Sequence, residues 1–147
     1  MEGALLGGYS LRVELTEGSR LELDRSDPFL IGQGVRIDIS ARSSSSSGLR
    51  RLNTAASRIV LDGRGASRLF DVRGELHLEG IELINGRAQQ GGALFIFSGG
   101  SVALDNSRIS NSVAVGTSFG DADGGAVHID PNGKLTLIDS EIINCAA

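Results

Sequence analysis

The chain has two histidines, His77 and His128, and a single cysteine, Cys145. The side chains that most often act as bases or nucleophiles near neutral pH are therefore few. Neither histidine has the serine, cysteine or second histidine at a spacing that would suggest a triad, a thiolate pair or a zinc site, so no catalytic residue is assigned. The best chemical grouping is a mixed one. Asp71, Phe95 and His128 occupy equivalent places in three similar segments, and Arg73, Phe97 and Asp130 occupy the places two residues on. Aromatic rings beside charged and hydrogen-bonding groups suit a sugar, with rings against its apolar faces and polar groups on its hydroxyls. These six residues are the candidate ligand-binding set. A second motif, DADGG, offers Asp121 and Asp123 two apart on a Gly-rich turn. Ca²⁺ needs six to eight oxygens, and the rest of an EF-hand pattern is missing. Asp121 and Asp123 are thus the candidate Ca²⁺ ligands, and the expectation is a plain Asp/Gly turn with no cofactor.

Such residues need a rigid scaffold, and a repeat supplies it. GELHLEGIELIN (74–85), GSVALDNSRISN (100–111) and GKLTLIDSEIIN (133–144) align without gaps. Each opens on Gly, places apolar residues two and four positions later, breaks at Gly80, Asn106 or Asp139, and closes on Asn85, Asn111 or Asn144. Apolar residues two apart share one face of a strand. Leu76, Leu78, Val102, Leu104, Leu135 and Leu137 are thus expected to line one interior wall. Gly, Asn and Asp at the break tolerate the left-handed backbone of a sharp bend. A third strand follows each Asn as GGALFIF from Gly91 and GGAVHID from Gly124.

Three strands per repeat, with turns too short for a crossover helix, can stack in parallel only by coiling. The expected fold is all-β, a right-handed parallel β-helix of about five coils with three short strands each. Asn85, Asn111 and Asn144 would then stack, and a ladder of side-chain amide hydrogen bonds between them is expected. The second interval exceeds the first by seven residues, and this surplus falls between Asn111 and Gly124, an outward insertion beside the candidate site. LRVEL, RLELD, FLIG, VRIDIS and SRIVLDGRGASRLFDV read as earlier, degenerate coils. ARSSSSSGLRRLN (41–53) is expected to be an exposed Ser-rich loop. With 147 residues, residues 1–147 are read as a single domain.

Charge and composition bound the partners. The net charge is −4 and the pI is near 5.1, so no nucleic-acid partner is expected. The Arg-rich stretch 36–73 has eight Arg against three Asp, a band that could grip an anionic polysaccharide. The start MEGALLGGYSLRVEL lacks the basic and continuous apolar regions of a secretory signal. No window nears the roughly 20 apolar residues of a membrane span. The lone Cys145 is read as a small buried hydrophobe. The last coil, Lys134 to Asn144, would leave strand edges uncovered, so self-association through it or pairing with another β-helix segment is expected.

The segments GGALFIFSGGSVALDNSRISNS and GGAVHIDPNGKLTLIDSEIINCAA resemble the Gly-Gly-Ala-hydrophobic repeats of polymorphic outer-membrane proteins and related pectate-lyase-like β-helices, over 74–147. LDGRG is similar to the Asp-Gly turn of early coils in such proteins. The resemblance implies a cell-surface or secreted protein acting in adhesion, wall association or display, and its enzymatic relatives cleave acidic polysaccharides. Only two Gly-Gly-Ala copies are present, and Asn144-Cys145-Ala146-Ala147 falls where a third would open, so the expectation is a segment of a longer solenoid. The expected function is a noncatalytic structural or adhesive module with a polysaccharide or protein partner. The alternative is a truncated carbohydrate-active enzyme, a polysaccharide lyase or glycoside hydrolase.

Overall fold

The computed structural model describes residues 8–23, 27–42, 58–117 and 122–147. In chain order the strands are β1 (Tyr9–Thr16), β2 (Arg20–Glu22) and β3 (Phe29–Ile31), then β4 (Val35–Arg42), β5 (Ile59–Asp62) and β6 (Phe70–Val72). They continue as β7 (Glu75–Glu79), β8 (Ile81–Ile84), β9 (Arg87–Ala88) and β10 (Leu94–Ile96). The last are β11 (Ser101–Asp105), β12 (Arg108–Ser110), β13 (Val113–Ala114), β14 (Val127–Ile129), β15 (Lys134–Ile138) and β16 (Glu141–Ile143). Among the described residues there is no helix.

The chain visits its sheets in the same order on each pass. The first sheet runs β1-β4-β7-β11-β15, the second β2-β5-β8-β12-β16 and the third β3-β6-β10-β14, with a small sheet of β9 and β13 between the second and third. All strand pairs are parallel, giving a β-solenoid-like stack. The registers are those the repeat predicts. Leu76 pairs with Val102 and Val102 with Leu135, and Leu83 pairs with Ile109 and Ile109 with Ile142. The seven-residue surplus is also placed. Ala88 pairs with Ala114 and Gln90 bridges Asp123, so the extra residues lie between those two contacts.

Period-two alternation sends the apolar residues inward. Leu76, Leu78, Val102 and Leu104 are fully buried, as are Leu83, Ile109, Leu94 and Ile96. The predicted wall fails at its end: Leu135 is half-buried and Leu137 is 42% exposed. Strand β15 is an edge of its sheet, so only one side of its side chains is covered. Another difference concerns the Ser-rich segment: Ala41 and Arg42 complete β4, with Ala41 buried. The other residues of that expected loop, 43–53, lie outside the described residues.

The asparagine corners differ in mechanism from the expected ladder. Asn85, Asn111 and Asn144 do stand at equivalent corners, with φ of 55°, 53° and 53°, the left-handed conformation that Asn tolerates. Among the described residues, however, no hydrogen bond joins their side-chain amides. Asn85 Nδ2 instead donates to Asp62 Oδ1 at 2.9 Å. Hydroxyl groups make the ladder between coils. Ser107 Oγ accepts from the Ile81 N–H at 3.1 Å, Ser140 Oγ from the Ser107 N–H at 2.9 Å, and Ser112 Oγ from the Gly86 N–H at 3.1 Å. Cys145, half-buried, stands in the place of Ser112 one repeat later, and its Sγ donates to the Ile143 carbonyl as Ser112 does to that of Ser110. A short side chain that satisfies a backbone N–H at a corner leaves no buried donor unpaired.

Asp62 ties the early coils together. This buried carboxylate accepts from Asn85 and from the Arg64 N–H at 2.8 Å, and it pairs with Arg20. The Arg64 contact makes LDGRG a side-chain-closed turn. Burial pushes the Asp62 carboxyl up, but hydrogen bonds from Asn85, Arg64 and Arg20 outweigh it and hold the group below the ordinary carboxylate value. A depressed folded value contributes stability that is present above the ordinary value of 3.8 and lost as pH falls through the folded one. Asp62→Asn is therefore expected to cost about 1.5–3 kcal/mol at pH 7 and to shrink the acid loss below pH 4. Urea midpoints at pH 7 and pH 3 check this, and an unaltered acid loss would exclude Asp62 as its source.

Candidate functional site

Strands β6, β10 and β14 build the outer surface on which the sequence places its ligand-binding set. Asp71 pairs with Phe95 and Phe95 with His128, so that column forms as expected. The second column continues the same ladder past the strand ends. The N–H groups of Arg73, Phe97 and Asp130 donate to the carbonyls of Ile31, Val72 and Ile96 at 2.8, 2.9 and 2.8 Å. Inward-facing Val72 and Ile96 between them are fully buried, which fixes the six candidates on the outer face.

Their contacts are mutual. The Phe95 and Phe97 rings stack with centroids 4.3 Å apart, and the His128 ring lies 4.6 Å from Phe95. The Arg73 guanidinium sits 4.1 Å above Phe97, and His128 Nε2 is 3.4 Å from Asp130 Oδ1. Sequence reasoning missed Arg68, which precedes β6. Its Nη1 is 2.6 Å from Asp71 Oδ1, its Nε donates to the Gly91 carbonyl at 2.9 Å, and its guanidinium lies 4.9 Å from the Phe95 ring. Both rings are half-buried and their faces are already in contact with cations or other rings, so stacking a sugar on them requires Arg73 to move aside. What the surface offers directly is the exposed part of these half-buried rings, the exposed Arg73 and the partly exposed Asp130 carboxylate. Of the candidate Ca²⁺ ligands, Asp121 lies outside the described residues. Asp123 is exposed and 3.3 Å from Gln90 Nε2. Among the described residues no three His, Cys, Asp or Glu side chains gather as a metal site.

A second polar cluster, also missed, lies on the outer face of the first sheet. Register brings Arg12, Asp38, His77 and Ala103 into one column, flanked by Arg36, Glu75 and Ser101. Arg36 donates from Nε and Nη2 to the two Asp38 oxygens at 3.1 Å each, and from Nη1 to Glu75 Oε2 at 3.2 Å. His77 Nδ1 is 3.3 Å from Asp38 Oδ1. Hydrogen bonds from Arg36, assisted by His77, hold the Asp38 carboxyl below the ordinary range despite its partial burial, and the same pairing raises Arg36. A groove of about 490 Å³ opens above the cluster, lined also by Glu14, Arg42 and Glu79. A smaller depression of about 240 Å³ continues it over Ser101 and Ala103. The signal was present in VRIDIS, whose outward Arg36 and Asp38 alternate with Ile37 and Ile39, but β4 lies outside the clear repeats. Among the described residues of the Arg-rich stretch no single cationic band forms, since Arg36, Arg64 and Arg68 face carboxylates and Arg58 is buried.

No family model, curated protein or solved structure matches this chain. Among the described residues no helix is long and apolar enough to cross a membrane.

Proposed function

We propose that the chain is a right-handed parallel β-helix of about five coils that serves as a noncatalytic structural or adhesive module of a cell-surface or secreted protein. Its third-sheet outer face is the contact surface for polysaccharide or a protein partner. The observation that carries this reading is the cluster of Phe95, Phe97, His128, Arg73 and Asp130, held in register on the outer face of the third sheet with its rings half-buried and Arg73 exposed. Aromatic and Arg side chains dominate the energetics of recognition surfaces, and the interior packing of the coil needs none of these five. The likeness to Gly-Gly-Ala repeats supports the same reading. The last coil, with Ile129, Leu137, Ile138 and Ile142 each at least 37% exposed, suits another β-helix segment.

The test is binding of the chain to a glycan array, with Phe95→Ser/Phe97→Ser beside the parent. Binding weakened by at least about tenfold (about 1.4 kcal/mol), in a variant that still unfolds cooperatively, is the expected result. Full retention of binding would remove the third sheet from the reading. The Asp38–His77 pair beside Glu75 and Glu79 favours the second reading, a carbohydrate-active enzyme of the pectate-lyase-like fold. It requires shorter products when the bound glycans are incubated with the chain.

A further inference from the structure

We infer that the groove on the outer face of the first sheet is a binding site for an extended, uncharged polyhydroxyl chain, a neutral oligosaccharide laid across the strands. The site is separate from the third-sheet surface and does not depend on it. Its shape comes from side-chain size. Arg12, Arg36, Asp38 and His77 stand up from β1, β4 and β7, whereas the next strand presents Ser101 and Ala103, which leave the floor open. The two depressions share Arg36 and His77 and together cross four strands. At about 4.8 Å per strand that is a run of about 14 Å, and 490 Å³ alone is in the range of ligand sites. A run of this length along the stack suits a chain more than a compact molecule.

The ligand's charge follows from the lining. Arg12, Arg36 and Arg42 share the run with Glu14, Asp38, Glu75 and Glu79, so a polyanion would meet carboxylates along it and a polycation would meet guanidiniums. Alternating donors and acceptors instead fit hydroxyl groups, which do both. His77 is positioned for this. The Asp38 carboxylate beside Nδ1 favours the proton there and leaves Nε2 as an acceptor, while Arg36 holds Asp38 with two hydrogen bonds. Asp38 and Arg36 are thus positioning residues for an imidazole that is 34% exposed.

The experiment follows the His77 and His128 ring signals of the ¹⁵N-labelled full chain during titration with neutral gluco-, manno- and xylo-hexasaccharides and with a galacturonate hexamer. A neutral hexamer is expected to shift His77 whether or not it also shifts His128, in the parent and in Phe95→Ser/Phe97→Ser alike. Ala103→Trp places an indole over the groove floor from an outward position, and it should weaken that binding at least tenfold with the denaturation midpoint kept. Ser101→Trp serves the same purpose should the first variant not fold. The inference is overturned if no neutral hexamer shifts His77, if the galacturonate hexamer shifts it at lower concentration, or if the folded Trp variant binds like the parent.

Discussion

Gly92→Ala is expected to be among the most damaging single substitutions in the chain, costing about 3 kcal/mol or more, although it adds one methyl group. A Cβ built on Gly92 would stand 2.4 Å from the Gly125 carbonyl oxygen and 2.7 Å from both the N and the O of Val113. All three are backbone atoms of the next coil, so relief requires two chain segments to move, and both are held by inter-coil hydrogen bonds. Its neighbour Gly91 has φ of +60° and would carry a Cβ 2.1 Å from the Leu94 oxygen of its own coil and 2.8 Å from the His128 nitrogen of the next. The Gly-Gly pair is therefore a place where successive coils meet backbone to backbone. Gly99→Ala is the control. It has φ of +82° with open space around the new Cβ, so it should cost only the left-handed penalty of about 1–2 kcal/mol. Chemical denaturation of the two variants beside the parent decides the matter: equal midpoints would mean that the tight stacking at Gly92 is not a determinant of stability.

The same geometry explains why so much of this fold was legible. In a solenoid each residue contacts its equivalents one repeat away, so a contact restriction appears in the sequence as a spacing. Gly74 and Gly100 open their repeats because a Cβ there would stand 2.2 Å from the Val35 oxygen and 2.4 Å from the Val72 oxygen. Leu76, Val102 and Leu135 recur because they fill one wall. The third-sheet columns were readable for the same reason. What escaped was set by atoms rather than by period. The corner position bridges coils with whichever short side chain reaches the neighbouring N–H, so Ser107 and Ser140 carry the ladder. The asparagines, more conspicuous in the alignment, serve the backbone bend. Asp38 and His77 escaped because outward positions carry no packing constraint that would mark β4 as the neighbour of β7. Arg68 covers Phe95 from a turn outside the repeat, so no alignment of strands could place it.

Register is where a reading of this kind is most exposed, since a slip of one residue exchanges every inward and outward side chain of a strand. Leu104→Ala tests it with the second large effect. Leu104 is buried, pairs with Leu78 on one side and Leu137 on the other, and lies one strand in from the end of its sheet. The coils above and below are fixed by their own hydrogen bonds, so the cavity cannot easily collapse, and a cost of about 2–5 kcal/mol is expected. Leu137 holds the equivalent place in the last coil but is 42% exposed. Leu137→Ala removes the same atoms from a site that water already reaches, and it should cost less than about 1 kcal/mol. Were β11 shifted by one residue, Ala103 would occupy the interior and truncating Leu104 would matter little. Urea denaturation of the two variants therefore separates three cases. A large loss at Leu104 with a small one at Leu137 supports both the register and the open end. Equal large losses mean that something covers the last coil, and a negligible loss at Leu104 refutes the register.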